Sequence, residues 1–121
     1  SYLGKKKEYQ IARIEQIEQI RRTEYSFYLD VLQQMINESN RDNFLLLQKS
    51  TNRLLLFAGP ELSTIINEYY NTIINNANAG KPTLNHEHIS YQTKIVNAMR
   101  SELGVSTIEL DQVRFIGAPL Q

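Results

Sequence analysis

Apolar residues recur every three or four positions through most of the chain, a period typical of helices with one buried face. In the first stretch, from about Lys5 to Glu38, such residues fall on one side at about 100° per residue. These are Ile14, Ile17, Tyr25, Tyr28, Leu32 and Met35. The pattern predicts one long first helix.

Glycine and proline divide the middle of the chain into two further helices. Ser39 and Asp42 resemble a capping box, which predicts that a second helix begins there and ends at Gly59. Pro60 suits the first position of a third helix because its missing N–H would be unpaired there in any case. This helix is expected to end before Gly80.

A fourth helix is expected from about His88 to Leu103, with Gly104 as its C-terminal stop. Its inward side is predicted from the apolar residues Ile89, Val96, Met99 and Leu103. Beyond it, Ser106 and Glu109 form another capping box and predict a short fifth helix. A short strand is the second alternative, because Ile108, Leu110, Val113 and Phe115 partly alternate with polar residues.

The first helix is too long for its partners. At about 1.5 Å per residue it spans roughly 50 Å, whereas the second to fourth helices span roughly 25 Å each. Apolar residues are densest in its C-terminal half, so we expect that half to pack and the other to project. The predicted fold is an all-α four-helix bundle with a long projecting N-terminal helix and a short C-terminal helix. Residues 1–22 would form a stalk, and residues 23–121 the bundle domain.

Four isoleucines mark the predicted stalk as a contact surface: Ile11, Ile14, Ile17 and Ile20. A spacing of three drifts by about 60° per step, so these residues do not form a coiled-coil seam. Exposed apolar groups on a stalk nevertheless favour self-association, because a lone helix has nothing against which to bury them. The alternative is a solvated stalk with scattered exposed isoleucines.

The second helix carries six consecutive polar residues, from Gln48 to Arg53, between two apolar ends. Thr51 falls in the middle of its core-facing stripe. One hypothesis is a buried polar layer around Thr51 and Gln48 that binds a small ligand. The favoured interpretation is that the Thr51 hydroxyl bonds the carbonyl of Leu47 one turn earlier.

Composition excludes several classes of function. The chain has 121 residues and no cysteine, which suits a single domain without disulfides, thiolate chemistry or cysteine-based zinc sites. Its thirteen basic and thirteen acidic residues balance and are interspersed beyond the first turn, which argues against nucleic acid as a partner. No apolar run approaches the roughly 20 residues that span a bilayer.

The first residues of the chain are typical of a segment that follows a transmembrane helix. An apolar stub at residues 2–4 runs into Lys5, Lys6 and Lys7, as at the cytoplasmic flank of a transmembrane helix. We therefore expect a membrane anchor upstream of Ser1, with this chain at the cytoplasmic face of the cell membrane.

Candidate chemistry is sparse. His86, Glu87 and His88 could supply two metal ligands, but no third ligand is evident, and both histidines suit the start of a helix. We expect no metal site and no cofactor. No phosphate loop, paired-carboxylate motif or nucleophile elbow occurs, so the chain is not expected to be an enzyme. Arg100 is expected to pair with Glu61 or Glu68.

Three segments carry a resemblance to a known pattern: Leu54 to Leu62, Ile66 to Tyr69, and Asn97 to Gly104. They resemble small bacterial proteins with one N-terminal transmembrane helix, a charged stalk and a helical cytoplasmic domain. Those proteins end in a Met-Arg-x-Asp/Glu-Leu-Gly signature, where this chain has Glu102 in place of the commoner Asp. The resemblance covers about half of the chain and implies architecture and membrane tethering, but no activity or functional residues.

The expected function is therefore a membrane-tethered, non-enzymatic helical interaction domain that assembles with itself or with another protein. The alternative is a domain that senses a small ligand or a metal through the polar layer around Thr51 or through His86 and His88.

Overall fold

The computed structural model describes residues 2–106, which form four helices and no strand. These are α1 (Tyr2–Asn37), α2 (Arg41–Leu54), α3 (Pro60–Asn78) and α4 (Asn85–Glu102). The all-α class, the four helices and the long first helix are confirmed. The predicted short fifth helix and its strand alternative concern residues that lie outside the described part of the chain.

Consecutive helices run antiparallel and form two hairpins, α1 with α2 and α3 with α4. In the first hairpin, the Gln34 amide donates to Asn43 near the connecting turn, and Arg53 reaches Glu24 farther along. In the second hairpin, the Asn76 amide donates to Thr83 near the loop. The up-down-up-down order places the α2–α3 turn and the end of α4 at one end of the bundle. The other two connections lie at the opposite end.

The start of α2 differs from the prediction by one residue. Asn40, not Ser39, is the N-cap, because its side-chain oxygen accepts the backbone N–H of Asn43 at 2.9 Å. The Ser39 hydroxyl instead donates to the carbonyl of Met35 at 3.0 Å, which satisfies the end of α1. The predicted Ser39 capping box is therefore wrong, although Pro60 does occupy the first turn of α3 as expected.

The fourth helix begins three residues earlier than predicted, at Asn85. The carboxylate of Glu87 accepts the backbone N–H of Leu84 at 3.3 Å and so caps its first turn. At the other end Gly104 has a φ of 73°, and the N–H of Val105 bonds the carbonyl of Arg100 at 2.8 Å. This is a Schellman motif, in which glycine adopts the left-handed conformation without steric cost.

The core lies between the four helices and takes most of its volume from the C-terminal half of α1 and from α3. Its fully buried large side chains are Tyr28, Met35, Leu47, Leu54, Leu62, Ile66, Tyr69 and Ile95. The buried residues of α4 are His88, Gln92, Thr93, Ile95, Ala98 and Met99. Of the residues predicted to point inward from α4, only Met99 does so fully. Ile89, Val96 and Leu103 are half-buried, so the predicted face was rotated.

One side chain ties three helices together where α4 ends. The Glu102 carboxylate accepts the backbone N–H of Gly59, the N-cap of α3, at 2.6 Å and also accepts the hydroxyl of Tyr25 on α1. Close by, Arg21 of α1 donates through Nε to the carbonyl of Phe57 at 2.8 Å. The free part of α1 leaves the bundle from this end.

Candidate functional site

The first part of α1 is exposed along its whole length. Every residue from 3 to 17 is exposed, a length of roughly 20 Å at 1.5 Å per residue. Ile11, Ile14 and Ile17 are 48%, 65% and 41% exposed, and Ile20 is half-buried where the helix meets the bundle. The structure thus places three of the four predicted contact residues on an open surface. We call residues 3–17 the stalk.

The isoleucines of the stalk lie on the same side of α1 as the core. Ile14 precedes Leu32 by 18 residues, and Ile17 precedes Met35 by the same number. Because 18 residues make five turns at about 3.6 residues per turn, each pair points in the same direction. Leu32 and Met35 are both buried against the other helices. The apolar face of α1 therefore continues beyond the bundle that covers it.

Charges flank this face. Glu18 and Arg22 form an exposed i, i+4 ion pair at 3.8 Å, and Lys5, Lys6 and Lys7 lie at the far end of the stalk. An exposed pair of this kind adds only a few tenths of a kcal/mol to helix stability, about 0.3–0.5 kcal/mol. The stalk consequently presents an apolar strip with a basic tip.

The structure places the two residues of the predicted polar layer of α2 in different environments. Thr51 is buried, but its hydroxyl has no hydrogen-bond partner among the described residues, so the expected bond to Leu47 is absent. Gln48 lies on the outer face of α2, in an open groove with Leu45, Lys49 and others. Thr51 does not line that groove, and the two residues are not brought together.

The two histidines have different environments. Both lie in the first turns of α4, where residues two apart point to different sides of the helix. His86 is exposed, whereas His88 is buried. Residues 2–106 contain no group of three metal-ligating side chains. The geometry gives no support to a metal site that joins the two histidines.

His88 belongs instead to a buried polar cluster between α3 and α4. Its Nδ1 lies 2.6 Å from the Tyr69 hydroxyl, which also accepts a hydrogen bond from Gln92 Nε2 at 2.9 Å. The ring of Tyr69 stacks on Tyr91, with centroids 5.1 Å apart. In the sequence, Tyr69 shares an apolar stripe with Leu62, Ile66 and Ile73, which places it inward, whereas nothing in the hydrophobic pattern singled out Gln92. The signal available was the i, i+4 spacing of His88 and Gln92 within the stripe that continues to Ile95 and Met99.

Burial sets the charge state of this cluster. It raises the pKa of the Tyr69 phenol well above its usual value, although the bond from Gln92 acts weakly in the opposite direction. Burial also lowers the pKa of His88, which the carboxylate of Glu87 opposes only in part. Both rings are therefore uncharged at neutral pH, and the cluster is held by neutral hydrogen bonds.

A partly enclosed cavity of about 330 Å³ opens beside this cluster, at the end of the bundle away from the stalk. Its walls include Met35, Phe44, Ile73 and Ala77, with His88 and Lys81 as nitrogen-bearing side chains. The cavity is lined by residues of all four helices and of the loops that join α1 to α2 and α3 to α4. A buried polar side chain, His88, meets an apolar wall there.

Arg100 does not form the predicted ion pair. Its Nε donates to the carbonyl of Ser106 at 2.6 Å, and residues 2–106 show no salt bridge from it to Glu61 or Glu68. This bond fastens the segment that follows α4, so Arg100 has a local structural role.

Comparison with known proteins gives no relative for this chain: no family model, no curated protein and no solved structure matches it. Within the described residues, none of the helices combines the length and apolar character required to cross a bilayer. Any functional conclusion therefore depends on the stalk and the bundle themselves.

Proposed function

We propose that the chain is a non-enzymatic helical assembly domain whose copies associate through the stalk. The observation that supports this most directly is the exposed strip of Ile11, Ile14 and Ile17 on the core-facing side of α1. Within the bundle the same face is covered by other helices, and on the stalk nothing described covers it. A second stalk offers the same strip, so two copies bury both at once in a symmetric contact.

The proposed setting is the cytoplasmic face of a cell membrane, with the anchor in a segment upstream of Ser1. Two features support it: the basic tip at Lys5 to Lys7, and the resemblance of the chain to membrane-anchored bacterial proteins. Anchoring through the N-terminus aligns the stalks in parallel and raises their local concentration. A modest intrinsic affinity between stalks is then sufficient for assembly.

Sedimentation of the chain over a range of concentrations tests the self-association. We expect a reversible dimer or higher assembly. We expect Ile14→Lys to weaken it at least tenfold, since burial of each isoleucine contributes about 1.5–3 kcal/mol, or roughly 10- to 150-fold in affinity. Gln16→Lys is the matched control, because it adds the same charge on the opposite side of the helix. A chain that stays monomeric at high concentration, or equal weakening by both variants, contradicts the proposal.

Cell fractionation tests the tethering separately. The product of the complete gene is expected to stay in the membrane fraction after an alkaline carbonate wash, which removes peripheral proteins. Release into the supernatant would rule out an anchor while leaving self-association through the stalk intact.

A further inference from the structure

We propose that the cavity beside His88 is a binding site for a small amphipathic carboxylate, such as a medium-chain fatty acid. The cavity has about 330 Å³ of space, at the lower end of the volumes typical of ligand sites. Its walls are mostly apolar, with His88 and Lys81 as the nitrogen-bearing groups. This combination suits a molecule with an apolar tail and one anionic head.

The hydrogen bonds of Tyr69 determine the tautomer of His88 and therefore whether its Nε2 is a donor or an acceptor. A phenol has one proton, and Gln92 already donates into its oxygen. Among the described residues, the other group in hydrogen-bond contact with this hydroxyl is Nδ1 of His88 at 2.6 Å, so we assign the phenol proton to that contact. A neutral imidazole whose Nδ1 accepts carries its own hydrogen on Nε2.

Nε2 of His88 is thus a donor, and no described residue accepts its hydrogen. The side chain is 6% exposed, so the ring has little contact with solvent. His88 also lines the cavity, where a ligand oxygen that displaces water can accept the Nε2 hydrogen.

Lys81 determines the preferred sign of charge. It lines the same cavity from the loop between α3 and α4, and none of the ion pairs found in residues 2–106 involves it. Among residues 2–106, no acidic side chain lines the cavity. A carboxylate satisfies the His88 donor and attracts the ammonium group of Lys81, whereas an ammonium ligand would be repelled by Lys81 and would give Nε2 no acceptor.

Isothermal titration with sodium octanoate, kept below its micelle concentration, tests the site. We expect saturable binding of octanoate with a Kd in the millimolar range or tighter. We expect no saturable binding of acetate, which lacks the alkyl tail, or of octylammonium, which carries a positive charge. No saturable binding of octanoate, or equal binding of octylammonium, overturns the proposal.

Two variants locate the binding. Ala77→Trp adds bulk on the exposed end of α3 and is expected to abolish octanoate binding while circular dichroism shows an unchanged helix content. Lys81→Gln is expected to weaken binding by about two- to fivefold, as an exposed charge contributes modestly. His86→Asn is the matched control outside the cavity and should change nothing. Unchanged binding in the Ala77→Trp variant would show that octanoate binds elsewhere and overturn the assignment.

Discussion

At the scale of single residues, Thr51 has a buried hydroxyl group without a hydrogen-bond partner among residues 2–106. We expect Thr51→Val to stabilise the chain by about 1 kcal/mol, because the shape is kept and the unpaired polar group is removed. Thr51→Ser, which keeps the hydroxyl and removes the methyl group, is expected to cost about 1 kcal/mol. Urea denaturation measures both. A destabilised valine variant would show that Thr51 Oγ1 has a partner such as an ordered water.

Titration of His88 links the buried cluster to pH. Because burial lowers the pKa of His88 in the folded chain, the unfolded chain, with an ordinary value of about 6.5, binds the proton more readily. The contribution of the neutral ring to stability is therefore complete above about pH 6.5 and is lost as the pH falls towards the lowered pKa.

We accordingly expect the free energy of unfolding to begin to decrease as the pH falls through about 6.5, which is above the usual titration range of carboxylates. In the His88→Gln variant, this pH-dependent decrease in the free energy of unfolding should be smaller than in the wild type, even if the variant is less stable at every pH. His86→Gln, which removes an exposed imidazole, should retain it. Equal pH dependence in the wild type and His88→Gln would contradict the assignment.

The buried cluster also contains residues whose burial could not be predicted from the sequence. Tyr69 could be placed inward from the apolar stripe of α3, but its partners could not be identified from hydrophobicity. Ile89 and Val96 are more apolar than His88 and Gln92, yet the polar pair is buried because Tyr69 requires hydrogen-bond partners inside the core. When hydrogen bonds to another helix decide which face of a helix is buried, the hydrophobic periodicity of that helix alone does not predict the face.

At the scale of elements, the helices were predictable because most of their ends depend on local chemistry. Pro60 begins α3, and Gly104 closes α4, as their intrinsic backbone preferences require. The start of α2 was misplaced because Ser39 and Asn40 are both good caps, and only the geometry of the turn decides between them. Asn97 to Gly104, one of the three segments singled out in the sequence, lies at the end of α4, and the structure shows what several of its residues do there.

Met99 packs in the core, the Glu102 carboxylate accepts the Gly59 N–H and the Tyr25 hydroxyl, and Gly104 forms the turn. Each of these three residues therefore has a structural role. A carboxylate at position 102 holds the end of α4 against the start of α3, where it also complements the helix dipole.

We expect Glu102→Gln to destabilise the bundle by about 1–2 kcal/mol, because two charge-assisted hydrogen bonds become weaker neutral ones. Glu68→Gln, the same change at an exposed position of α3, should stay within about 0.5 kcal/mol of the wild type. Thermal and urea unfolding of both variants provide the comparison. Equal stability of the two variants would show that the Glu102 contacts contribute nothing to holding the bundle closed.

At the scale of the whole molecule, the main feature is the mismatch between α1 and the other helices. Its 36 residues stand against 14, 19 and 18 in α2, α3 and α4. This mismatch could be read from the sequence, since helix length follows directly from residue count. The partner that covers the stalk could not be read from the sequence, because an apolar strip has the same pattern whether it contacts another copy or another protein.

The orientation of associated stalks can be tested through salt. Parallel stalks, as N-terminal anchoring requires, bring the Lys5 to Lys7 tips of two copies side by side, so their repulsion opposes association at low ionic strength. Raising salt from about 0.1 M to 1 M shortens the screening length from about 10 Å to 3 Å, and we expect it to strengthen the dimer.

An antiparallel pair has the opposite dependence. Pairing centred between Ala12 and Arg13 sets Ile11 against Ile14 and Lys7 against Glu18, so salt would screen an attraction and weaken the dimer. The sign of the salt dependence in sedimentation therefore separates the two arrangements. Weaker association at high salt would leave the stalk as an interface but contradict the parallel, membrane-anchored assembly, because two stalks anchored in one membrane at their N-termini cannot run in opposite directions.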